Sequence, residues 1–134
     1  MGDTLKEGLI TSRRIDIDVG RTISFMGEEC RVYATPKLLH DVEWVSRDLI
    51  KAHVDADKDS VGTRVELDHI GATLVGMWVE IEVTITSVDG ASVCFEFTAR
   101  DAVEQVACGK HHRFVVGIEK TESNTTGKAG GLRL

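Results

Sequence analysis

Two hydrophobic periods divide this chain. From Thr35 to His53, TPKLLHDVEWVSRDLIKAH, apolar residues recur at helical spacing. At about 100° per residue, Leu38, Val42, Val45 and Leu49 fall on one line, flanked by Leu39, Ser46 and Ile50. Lys37, His40, Asp41, Arg47, Asp48 and Lys51 fall on the other side, the expected solvent face. Glu43 lies at the margin of the apolar arc, where a carboxylate is half sunk into whatever the helix packs on. The Thr-Pro opening predicts the helix start, with threonine as cap and proline at the first helical position.

The second period is two. Ile15, Ile17 and Val19 alternate with Asp16 and Asp18, predicting a half-buried strand within 10–19. Residues 20–34 show no period and read as a long loop or short helical turn, a length at which loops in compact domains are often functional. Beyond the helix, VDADKDSVG reads as a solvated connection; its aspartates lack the glycine and glutamate placement of a calcium loop. Four strands follow. Thr63, Val65, Leu67 and His69 share one face of the first, and Met77, Val79, Ile81, Val83 and Ile85 one face of the second. Asp89-Gly90 predicts a hairpin turn, after which Val93, Phe95, Phe97 and Ala99 continue the inward face and 105–118 form the last strand. The polar, glycine-rich residues 121–134 read as a frayed tail behind a single domain over 1–120. The predicted class is α+β: about five antiparallel strands wrapped around one long helix, which buries the apolar face of each.

Composition narrows the function more than the fold. The 134 residues are 42% hydrophobic and 28% charged, enough for one real core. No apolar run nears the ~18 residues that span a bilayer, and no signal-peptide pattern opens the chain, so the expectation is a cytoplasmic protein. A net charge of −6 argues against a nucleic-acid partner. Cys30, Cys94 and Cys108, odd in number and widely spaced, read as reduced thiols rather than a disulfide framework or zinc site.

Phosphate-binding glycine loops, GxSxG elbows and HExxH helices are absent. His111 and His112 are adjacent on a strand and point to opposite faces, which predicts one packed and one exposed imidazole rather than a metal pair. Three polar groups are better placed. His69 ends an inward strand face, Glu43 sits at the helix margin, and Thr35 opens the helix. Each has a bland account: a satisfied core histidine, an i,i+4 pair with Arg47, and a helix cap. A helix packed across a sheet could bring acid, hydroxyl and imidazole to one cleft, the ingredients of hydrolytic acyl transfer.

VEWVSRDLI, SVGTRVELDHIGATLVGMWVEIEVTITSVDG and CGKHHRFVV resemble the fluoroacetyl-CoA thioesterase branch of the hot-dog thioesterases, over roughly residues 10–120. The sharpest element is spacing: threonine before the helix, glutamate eight positions later, histidine another 26 on. The resemblance implies that Thr35, Glu43 and His69 form the catalytic triad and that Gly62 and Arg113 line the acyl pocket. It also implies an acyl-CoA thioester substrate, a homodimer or dimer of dimers with sites at the subunit interface, and no metal or cofactor beyond the substrate's coenzyme A. The loop SFMGEECRVYA lacks the phenylalanine gate of that branch, so thioester chemistry is implied without fluoroacetyl selectivity. A non-catalytic acyl-CoA-binding module and, behind it, a hydratase or dehydratase are the alternatives on this fold.

Overall fold

The computed structural model describes residues 4–131. Its organising element is helix α1, Thr35–Lys51. Leu38, Val42, Val45, Leu49 and Ile50 are buried along the predicted stripe, and Ser46 buries its hydroxyl by donating to the Val42 carbonyl at 2.9 Å. The cap differs from expectation. Ala34 occupies the N-cap with no side-chain hydrogen bond, and Thr35 is the first helical residue. Its hydroxyl is therefore free to serve elsewhere.

Against this helix lies one antiparallel sheet of five strands, β1 (Ile10–Asp16), β4 (Lys58–His69), β5 (Trp78–Asp89), β6 (Ser92–Arg100) and β7 (Gln105–Gly117), in the spatial order β1-β5-β6-β7-β4. Two further short strands, β2 (Thr22–Ile23) and β3 (Val32–Tyr33), pair with each other as a separate two-stranded sheet. Val79, Ile81, Val83 and Ile85 of β5 and Val93, Phe95, Phe97 and Ala99 of β6 are buried, as the alternation requires. Each such Val, Ile or Phe contributes about 1.5–3 kcal/mol relative to exposure. Gly90 turns the β5–β6 hairpin at φ 61°, a backbone state only glycine takes without strain. The expected sheet around one helix is what the chain builds.

Several local expectations change. Val19 does not continue the β1 alternation; it is 59% exposed in a 3₁₀ turn. The segment between β1 and α1 is a β2–β3 hairpin rather than an irregular loop. β4 is an edge strand, so Val65, expected inward, is 38% exposed. Its pairing with β7 shifts by one residue between Gly62 and Arg64, leaving Thr63 as the extra residue of a bulge. Asp41, expected in solvent, is buried. Residues 118–131, which include most of the segment expected as a frayed tail, form a second helix, α2, that buries no side chain. Among the described residues no helix is long and apolar enough to cross a membrane.

Candidate active site

Thr35 and His69 meet. The Thr35 Oγ1 lies 2.7 Å from His69 Nδ1, so the hydroxyl left unused by the helix cap holds the imidazole. His69 stands at the end of β4, and the Tyr33 ring packs edge-on against it at 6.3 Å between centroids. Its Nε2 is buried with no hydrogen-bond partner, an uncommon state for a buried nitrogen and one suited to receiving a substrate group. Burial lowers the His69 pKa from its ordinary value, with the Gly71 backbone opposing. The pair opens on a cleft of about 440 Å³ whose other walls are largely apolar, among them Ile23, Phe25, Val32 and Ile70.

Glu43 is elsewhere. Eight residues along α1 from Thr35, it stands about 12 Å further down the helix at 1.5 Å per residue. It does not pair with Arg47, whose guanidinium is engaged by Asp59 at 2.6 Å and Asp48 at 3.1 Å. Its partner is Arg113, at 3.4 Å. Arg113 is 6% exposed and almost fully committed: Nε donates to Ser60 Oγ and Nη2 to the Ser60 carbonyl, both at 2.8 Å, and Nη1 also lies 3.2 Å from His111 Nε2. Because His111 Nδ1 lies 2.9 Å from the Arg64 carbonyl, it must donate there, which leaves Nε2 to accept from Arg113. His111 is thus neutral, and burial lowers its pKa in the same sense. Gly62 is the floor of this cluster. A Cβ built there would stand 2.5 Å from Glu43 Oε2 and 3.2 Å from His111 Cε1.

The chain therefore brings the five implied residues together as two half-sites, Thr35 with His69 and Glu43 with Gly62 and Arg113. Thr35 does not hold Glu43 within one chain. His111 and Ser60 belong to the second half-site and were not singled out from sequence. Their signal is strand parity: His111 and Arg113 share one face of β7, and an arginine on an inward face needs acceptors. Among the described residues no cluster of three or more His, Cys, Asp or Glu could hold a metal ion.

Residues 17–119 match the family described as FlK, fluoroacetyl-CoA-specific thioesterase. The fluoroacetyl-CoA thioesterase of Streptantibioticus cattleyicolor is 28% identical over 89 residues, which span 66% of this chain and 64% of that relative, just under two thirds of its length. The solved structure of the fluoroacetyl-CoA thioesterase FlK is similar with a TM-score of 0.85 at 22% identity, covering 94% of this chain and 98% of that one. A hot-dog-like protein from Thermanaerovibrio acidaminovorans is similar at 0.83 and 22% identity, covering 91% of each chain. At this identity the structural likenesses establish the hot-dog fold.

Proposed function

This chain belongs to the fluoroacetyl-CoA-specific thioesterase family, and we propose that it hydrolyses acyl-CoA thioesters to a carboxylic acid and free coenzyme A. The observation that carries this reading is His69, held by Thr35 with Nε2 unpartnered at an apolar cleft. When Nδ1 donates to the threonine oxygen, Nε2 presents its lone pair to the cleft, the state a general base requires. Where water is the nucleophile, His69 takes its proton as it adds to the thioester carbonyl and passes it to the departing coenzyme A sulfur. Where the Glu43 carboxylate adds, coenzyme A leaves as the thiolate and His69 takes the proton of the water that then cleaves the anhydride. Glu43 is the second reacting group. It adds to the carbonyl, giving an anhydride that water cleaves, or orients the attacking water. Arg113 keeps it ion-paired and fixed in direction. The reaction needs no metal or cofactor besides the substrate's own coenzyme A, and widely separated free thiols fit a cytoplasmic setting.

The two half-sites are completed by a second copy of the chain. β4 leaves a twelve-residue edge unpaired in the sheet. Antiparallel pairing of two β4 edges about a two-fold at Glu66, with the bulged Thr63 left out of the pairing, sets Gly62 opposite the partner's His69. Glu43 and Arg113 of one subunit then face Thr35 and His69 of the other. The outer sheet face gives no comparable reason to associate, since Trp78 is covered by the Arg14 guanidinium at 3.8 Å. Sedimentation at micromolar concentration should give twice the chain mass; an active monomer would remove the shared site.

A panel of acyl-CoA esters assayed for released thiol tests the activity. Tight binding with no turnover of any ester would instead indicate a non-catalytic acyl-CoA-binding module. Within the panel, fluoroacetyl-CoA should not exceed other short acyl esters by more than the ~10–200-fold that one small group in an apolar pocket provides. The loop contributes Phe25 to the cleft wall, but that ring is 85% exposed and shields little. The pH profile gives a separate check. A base fails when protonated, and burial lowers the His69 pKa, so the acid limb of kcat/KM should fall below the ordinary histidine value of about 6.5. An acid limb above that value would exclude His69 as the base.

A further inference from the structure

We infer that Arg21, Asp41 and Tyr33 are positioning residues that hold the β2–β3 hairpin as a wall of the cleft, and so set how well an apolar acyl chain is enclosed beside His69. The inference rests on the thioesterase reading for its substrate and on geometry for the rest. Asp41 is 4% exposed on α1, and both its oxygens are engaged. Arg21 Nε donates to Oδ2 at 3.0 Å and Nη2 to Oδ1 at 3.3 Å, while the Tyr33 hydroxyl also donates to Oδ2. Arg21 immediately precedes β2 and Tyr33 ends β3, so one carboxylate ties both feet of the hairpin to the helix. The feet are also joined to each other, with Ala34 N donating to the Arg21 carbonyl at 2.9 Å.

Apart from the Tyr33 ring, which is buried in the core, little else anchors this segment. β2 and β3 are two residues each, and the hairpin meets the rest of the fold mainly through Tyr33 N to the Thr73 carbonyl at 2.8 Å and a bridge between Val32 and Leu74. Yet it supplies Ile23, Phe25 and Val32 to the cleft, facing Ile70 from the β4 end. A buried ion pair is a poor way to add stability, because apolar side chains of similar volume usually serve as well. Its direction is what an apolar contact cannot supply. Burial and the Asp41 contact both raise the Tyr33 pKa, so the phenol remains a donor throughout the working range.

Tyr33→Phe is the test, since it removes the hydroxyl and keeps the ring against His69. Amide hydrogen exchange across residues 22–33 should quicken about tenfold, near the lower end for one hydrogen bond to a charged group, while the five-stranded sheet exchanges as before. In turnover, KM for a medium-chain apolar acyl-CoA should rise by a similar factor with kcat within about twofold, and acetyl-CoA should be little affected. Unchanged hairpin exchange, or exchange quickened across the whole sheet, would overturn the inference. So would a fall in kcat equal for all acyl lengths. If the wild-type protein hydrolyses no acyl-CoA, the thioesterase reading fails and exchange alone decides the cluster. Asp41→Asn, which keeps the volume and removes the charge, should move both readouts in the same direction.

Discussion

Replacing His69 by alanine is expected to lower kcat by about 10²–10⁴-fold, the range for a positioned general base, with the protein still folded. The fold should tolerate the change because His69 is half-buried at a strand end and its Nε2 bonds to nothing that would be orphaned. Glu43→Gln should be at least as damaging. It is nearly isosteric and stays within reach of Arg113, so packing survives while the carboxylate is lost. A purely structural surface role for Glu43 predicts a change of only a few tenths of a kcal/mol in stability and normal turnover. Thr35→Ser should keep much of the activity and Thr35→Ala much less, because serine preserves the hydroxyl that holds Nδ1. Near-normal rates in both His69→Ala and Glu43→Gln would sink the site assignment.

Mixing those two inactive proteins should restore activity. If each site takes His69 from one subunit and Glu43 from the other, a mixed dimer has one site carrying both substitutions and one carrying neither. Random reassociation makes half the dimers mixed, so about a quarter of wild-type activity should return, from a starting level of about 1% or less. A site contained within one chain gives no recovery, since every site would then keep one defect. Co-refolding of differently tagged chains, followed by purification of the mixed species, measures this directly. Recovery absent from a verified mixed dimer would place the two half-sites in separate roles.

The parts of the fold that were legible in sequence are those where one residue's environment is set by a regular element alone. The stripe Leu38, Val42, Val45, Leu49 and the alternation of β5 and β6 are of this kind. Asp41 is misassigned by a helical wheel, which reports the side of the helix but not that a hairpin will pack on its polar side. α2 carries no apolar stripe and buries nothing, so no pattern announces it. At the site, spacing and resemblance offered Thr35, Glu43, His69, Gly62 and Arg113 as candidates, but not that Thr35 joins His69 and Arg113 joins Glu43. That division follows from the length of α1, which sequence spacing states only in residues. That one of His111 and His112 packs inward was legible, but not which; the task of His111 in accepting from Arg113 depends on a carbonyl across the strands.

Thr63, the extra residue of the β4 bulge, acts as a change of phase. Before it, even-numbered positions face the helix: Ser60 reaches Arg113, and Gly62 makes room for Glu43. After it, odd-numbered positions do: Leu67 packs on the core, and His69 meets Thr35. An unbroken strand could serve one half-site or the other, never both, because 62 and 69 differ in parity. Straightening the bulge with Thr63 retained would therefore leave every side chain of the site in the protein and turn His69 to the opposite side of the sheet from Ser60 and Gly62, whereas deleting Thr63 would keep the two in phase.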